Sequence, residues 1–353
     1  MMASRTAHPS CLRLPRRVLT MVTRAAALVV TVAVLLPSAV LAQSAGREGA
    51  SKPLYVFAGA FLAHPYVRDI KLGLRYAEKK LGVTVRILGP QGPDFKAQAT
   101  ALAEAIEDKP AGIIVPLWGA DAVPRVKEAR EKGIPVIAIE AAPPDHGADT
   151  YIGLDNYQSG LMTARELIRR GGRKGKLALV LNRRSNTVLK RQGLIDGLAG
   201  TDWEIVAEAE NDSSTDDATR VSIELLRAQP EITGLIGLNS SAGVGIGNAI
   251  GQLGLADRRI TTVVHDREEI VLEMIERGLI EATIVSKTAL MSYLAVSLLE
   301  DYRKRRARDV PVVANADAIG IVLLPETVYI GAVVVERANV RHFLRGSLPG
   351  LVE

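Results

Sequence analysis

Residues 112–140 read GIIVPLWGADAVPRVKEAREKGIPVIAIE and hold one complete unit of the fold. The apolar run Gly112–Leu117 gives way to Trp118, Asp121-Ala122-Val123 opens a helical pattern, and Gly133 stops it. A second apolar run, Pro135–Glu140, then ends on an acid. Neither run alternates between apolar and polar residues, as a strand covered on both faces requires, and a strand–helix–strand order predicts a parallel sheet flanked by helices. Working outward, similar runs occur at Leu54–Ala60, Val83–Leu88, Tyr151–Leu154, Lys176–Leu181, Glu204–Ala209, Gly234–Leu238, Ile260–Val264 and Ile280–Val285. Between them lie amphipathic stretches such as Val67–Leu81 and Thr215–Ala228, with Gly82, Gly171, Pro230 and Gly278 as further helix stops. Ten strands are too many for one comfortable open sheet, so two Rossmann-like α/β lobes are expected, divided near Asn156.

The 353 residues are 48% hydrophobic, 24% charged and 4% aromatic, with a single cysteine, which excludes disordered, collagen-like and disulfide-stapled classes. The formal charge of +5 is not spread evenly. Residues 1–42 carry Arg5, Arg13, Arg16, Arg17 and Arg24 and no acid, and without them Lys+Arg falls from 44 to 39, equal to the 39 Asp+Glu. The same stretch reads as a secretory signal, with a basic region, the apolar run Ala25 to Leu36 and a cleavage site at Val40-Leu41-Ala42; Met21 offers an alternative start. Its apolar core is shorter than the ~20 residues that span a bilayer, so cleavage and export to a periplasm are expected, with 43–51 as a leader. Cys11 leaves with the signal. The basic run 302–309 reads as a solvated helix end rather than a nucleic-acid patch.

In open parallel sheets ligands bind beyond the carboxyl ends of the strands. Those positions here hold His64-Pro65-Tyr66, Trp118, Glu140, Asp155-Asn156, Asn182-Arg183-Arg184, Asn211-Asp212, Asn239-Ser240, His265-Asp266 and Ser286-Lys287. Any one of them could be a helix cap. Together they supply planar acceptors for neighbouring hydroxyls and donors for ring oxygens (Glu140, Asp266, Asn239) and flat apolar faces for C–H surfaces (Tyr66, Trp118), the groups a neutral polyol needs.

The order of these segments resembles the type I periplasmic sugar-binding proteins of ATP-driven (ABC) importers, of the ribose-binding type. The similarity runs from about Lys52 to Phe343. The resemblance implies two lobes joined by a multi-strand hinge of three crossovers, 52–156 with 287–318 forming the first lobe and 157–286 with 319–346 the second. It places ligand contacts on His64, Tyr66, Glu140, Asn239, Asp266 and Ser286, with Trp118 added from the strand-end reading. Where the ribose-binding pattern has arginines, this chain has Ala141 and Val188, and Arg183, Arg184 and Lys190 are further candidates to substitute. The expectation is capture of a sugar or polyol by a monomer that hands it to an inner-membrane permease, without cofactor, metal, catalytic residues or nucleic acid.

Rival readings are weaker. Gly243, Gly245 and Gly247 imitate a dinucleotide fingerprint but begin too far past their strand, and read as small residues packing a helix. Histidines at 64, 146, 265 and 342 offer no sequence-local zinc site, and His265 reads as a packed core residue. The region before the first strand reads as a leader, not the helix-turn-helix of lac-repressor-type regulators. An exported ligand sensor signalling to a membrane receptor or sensor kinase stays open as the alternative.

Overall fold

The computed structural model describes residues 51–304 and 323–344; the expected signal, most of the leader and most of the basic run lie outside the described residues. In chain order the first half forms β1 (Leu54–Ala58), α1 (Pro65–Leu81), β2 (Thr84–Leu88), α2 (Phe95–Glu107), β3 (Gly112–Pro116), α3 (Val123–Glu131), β4 (Val136–Ile139) and β5 (Thr150–Gly153). The second forms α4 (Asn156–Gly171), β6 (Lys174–Leu181), α5 (Ser185–Gly197), β7 (Asp202–Glu210), α6 (Thr215–Ala228), β8 (Gly234–Gly237), α7 (Ser240–Gln252), β9 (Thr261–His265), α8 (Glu269–Glu276) and β10 (Ala282–Ser286). Then follow α9 (Thr288–Arg303), β11 (Thr327–Tyr329) and β12 (Ala332–Glu336).

Two six-stranded sheets result, ordered β11-β5-β4-β3-β1-β2 and β12-β10-β9-β8-β6-β7. All ten expected strands are present. Their apolar runs are buried because helices cover both faces: Tyr55 and Phe57 of β1 pack with Ile70, Leu74 and Met291, while Val56 and Ala58 point the other way onto Leu102 and Val126. In the second sheet Ile236 and Val263 meet Leu167 and Leu194, and Leu235 and Val264 meet Ile246 and Val271.

The chain crosses between lobes at 154–155, at 287 and at 330–331. The third crossing divides the expected second-lobe segment 319–346: β11 pairs in parallel with β5 of the first sheet, and only β12 joins the second, antiparallel to β10. A three-residue strand with one partner carries no apolar run to betray it. Among the described residues no helix is long and apolar enough to cross a membrane.

Helix α5 lies close on α4 because glycines face each other there. A Cβ on Gly160 would stand 2.1 Å from the Lys190 carbonyl oxygen, and one on Gly193 2.0 Å from that of Tyr157. The glycines of α7 serve packing as expected, Gly245 against Ala218 of α6 and Gly247 against Met274 of α8.

Candidate functional site

The carboxyl ends of the two parallel sheets face a shared cavity of about 360 Å³. His64, Tyr66, Trp118, Glu140, Asn239 and Asp266 all line it, as do Arg184 and Lys190. Arg183 does not. It turns outward to pair with Glu210 at 2.7 Å. Ser286 lies beside the cavity, in a crevice lined also by Asp69, Arg267, Glu268 and Thr288, with its hydroxyl buried and unpartnered.

Glu140 and Asp266 hold equivalent places, directly after the fourth strand of each lobe, and both adopt left-handed backbone, φ 65° and 76°. For residues other than Gly this conformation is costly and persists only where neighbours impose it. They do so alike. Glu140 N–H donates to the Ile152 carbonyl (3.1 Å) while the Tyr151 hydroxyl donates to the Glu140 carbonyl (2.8 Å). Asp266 N–H donates to the Ile284 carbonyl (3.0 Å) while the Thr283 hydroxyl donates to the Asp266 carbonyl (2.7 Å). Each lobe thus bends the end of its strand to turn a carboxylate into the cleft.

The two carboxylates differ in what satisfies them. Glu140 accepts a short hydrogen bond from the Tyr66 hydroxyl and a longer one, 3.4 Å, from the Asn186 amide across the cleft. Asp266, 8% exposed, receives no hydrogen bond on its carboxylate from the described residues. Burial pushes its carboxyl up to about 6, against the lowering pull of Lys190 and with Glu140 adding to the rise. Lys190, 1% exposed, likewise has no hydrogen-bond acceptor among the described residues. An acceptor and a donor therefore line the cavity without protein partners, although buried polar groups are ordinarily paired.

Other polar groups are already committed. His64 caps α1, its Nδ1 accepting from Tyr66 N–H at 3.2 Å, which leaves Nε2–H as the donor; burial lowers its pKa and keeps the ring neutral. Asp155 caps α4 through Gln158 N–H and does not line the cavity, the simple reading of a polar strand end. Asn239 exchanges amide hydrogen bonds of 3.1 Å with Asn211 in both directions and donates to Ser241 at 2.7 Å. It is the centre of a buried polar cluster as well as a wall of the cavity. His265 is fully buried, bonded to Thr163 at 3.0 Å, and faces away from its neighbour Asp266, as the strand register predicts.

Several lining residues escape the strand-end reading. Phe61 stacks on Trp118 with centroids 4.4 Å apart, and Phe95 meets Phe61 edge-on at 6.5 Å. Asn186 and Thr187 enter from the first turn of α5, and Arg184 lays its guanidinium 4.5 Å from the Phe95 ring. Val188, where the ribose-binding pattern has an arginine, is 49% exposed; the buried cation on α5 is Lys190, two residues on. Beside the cavity, Arg267 of the second lobe pairs with Asp69 of the first at 3.4 Å. Among the described residues no cluster of His, Cys, Asp and Glu is arranged to hold a metal.

Comparison with known proteins agrees with this architecture. A D-allose-binding periplasmic protein of Escherichia coli (strain K12) is 24% identical over 256 residues, 69% of this chain and 82% of that protein. A D-apiose import binding protein of Actinobacillus succinogenes is 26% identical over 223 residues, 61% of this chain and 70% of that protein. An arabinose-binding protein from Geobacillus stearothermophilus superimposes with a TM-score of 0.72 at 25% identity, covering 83% of this chain and 99% of that one. A sugar-binding protein of an ABC transporter from Bacillus halodurans gives 0.74 at 24% identity, covering 83% and 100%. The family model described as a periplasmic binding protein domain matches residues 55–306, and the chain belongs to that family.

Proposed function

We propose that this protein captures a sugar or similar polyol between its lobes and delivers it to an ABC importer in the inner membrane. The observation that carries the reading is the pair Glu140 and Asp266, buried acceptors presented from opposite lobes into one cavity beside stacked aromatic rings. Hydroxyl donors of an uncharged guest supply the hydrogen bonds Asp266 lacks, ring or hydroxyl oxygens accept from Lys190 and His64 Nε2–H, and Trp118 and Tyr66 cover C–H faces. Relatives that bind allose, apiose and arabinose support the class of ligand. The reading assigns binding and release with no covalent step, by a monomer placed in the periplasm once residues 1–42 are removed.

Thermal-shift screening of the chain from residue 43 against pentoses, hexoses, deoxysugars and polyols should raise the melting temperature for a small subset, followed by micromolar dissociation constants in calorimetry, about −8 kcal/mol. A screen in which charged amino acids or peptides bind and no polyol does would overturn the assignment.

The affinity should also depend on pH. The guest's hydroxyls bind the ionised Asp266 carboxylate, whose pKa in the free protein stands near 6. Above that pH the acceptor is ready. Below it a proton must be displaced, so the dissociation constant is expected to rise by up to about tenfold per pH unit on acidification from 6. Calorimetry between pH 4.5 and 8, in buffers of different ionisation heat, reads both this slope and the proton released; a flat profile would remove Asp266 from the contact set.

A further inference from the structure

Within that polyol-binding reading, the cavity is two-ended. Its deep end is marked by Tyr66, whose hydroxyl sits on Glu140, and by Asp266 and Lys190. From there a line of rings runs outward. Tyr66 meets Trp118 edge-on at 6.5 Å, Trp118 stacks on Phe61, Phe61 meets Phe95, and Phe95 opens α2 directly after the exposed residues 91–94. Every aromatic ring of the wall belongs to the first lobe. The facing wall of the second lobe contains amides, hydroxyls, carboxylates and the cations Lys190 and Arg184, without one aromatic residue. A chain with only 4% aromatic residues has thus placed two of its 4 Phe and one of its 2 Trp along one side of this cavity.

A free monosaccharide is polar around its whole rim and is held by groups at one depth. It fits the deep end and leaves the half-buried faces of Phe61 and Phe95 against water. The cavity, of about 360 Å³, takes in Phe61 and Phe95 as well as the deep end. We propose that the preferred ligand is a glycoside, with its sugar ring at the deep carboxylate end and a flat apolar aglycone lying along Phe61 and Phe95 beneath the Arg184 guanidinium. Such a substituent removes the exposed ring faces from water and stacks on them, while Arg184, already 4.5 Å over Phe95, closes the outer end from the second lobe.

The test uses matched pairs in calorimetry: glucose, galactose, allose, arabinose and xylose, each against its α- and β-phenyl glycoside. At least one phenyl glycoside is expected to bind on the order of tenfold tighter than its parent sugar. Phe95→Ala should weaken the glycoside about tenfold more than it weakens the parent sugar, so that the gain disappears. Phe95 is partly exposed at the start of α2, where alanine is a good helix former, so the variant folds. Parents that bind as tightly as every glycoside, or a Phe95→Ala variant that weakens both members of a pair equally, would overturn the two-ended site while leaving sugar binding in place. Failure of every member of every pair to bind would instead overturn the polyol reading beneath it.

Discussion

Asp266→Asn is expected to make the unliganded protein more stable and, at the same time, a much poorer binder. Its carboxylate is buried, unpartnered and in left-handed backbone, a conformation asparagine tolerates as well as aspartate does. Because burial raises its pKa from 3.8 to about 6, the folded protein holds a proton between those values that the unfolded chain has released. Stability from this group therefore falls as pH rises from about 4 to about 6, and above that the folded state bears the full cost of the charge, on the order of 2–3 kcal/mol. The neutral amide avoids it. The same change removes a charged acceptor for ligand hydroxyls, each such bond contributing about 1.5–3 kcal/mol, so affinity should drop about a hundredfold. Chemical unfolding at pH 5 and pH 7.5, with calorimetry on the same samples, checks both halves: the stabilisation should be larger at pH 7.5. Unchanged stability at both pH values together with wild-type affinity would show that Asp266 neither carries this cost nor touches the ligand.

Gly193→Ala should lower stability by about 3 kcal/mol or more, a large effect for one methyl group. The added Cβ meets the Tyr157 carbonyl oxygen at 2.0 Å, its carbon at 2.9 Å and the Leu161 amide nitrogen at 3.1 Å. All are backbone atoms that no rotamer change can move, so α5 must lift from α4. Lys190, Asn186 and Thr187 travel with it, and folded material should bind weakly. Gly251→Ala is the control: nothing lies within 4 Å of its Cβ, and alanine in the last turn of α7 should be neutral or stabilising by up to about 1 kcal/mol. Urea midpoints of the two variants should move in opposite directions or differ widely; equal midpoints would refute the helix contact.

The sequence predicts the lobes because their strands are buried on both faces, leaving long apolar runs that no partner is needed to interpret. Strand ends are legible for the same reason, since the first polar residue after each run marks where the sheet stops. That logic reaches Glu140, Asn239 and Asp266. It does not reach Phe61, Phe95 or Asn186, which enter the cavity from a turn and from the first turns of helices, where nothing in the local pattern tells a lining residue from a packed or exposed one. Nor could it separate Arg183 from Arg184, neighbours whose side chains diverge to Glu210 and to Phe95. Strand β11 stayed hidden because three residues, two of them exposed, leave no hydrophobic imprint.

The threefold passage between lobes has a bearing on biosynthesis. The first lobe is not a contiguous stretch: the Ser292 hydroxyl bonds the Ile70 carbonyl 222 positions earlier, and Val328 pairs beside Ile152. As the chain is made, Tyr55 and Phe57 have Leu74 of α1 beside them but lack Met291 and the rest of the α9 cover until that helix arrives, and the sheet lacks its outer member until Thr327–Tyr329 follow. Since ring closure over such separations is slow, the amino-terminal half should be the last to mature although it is made first.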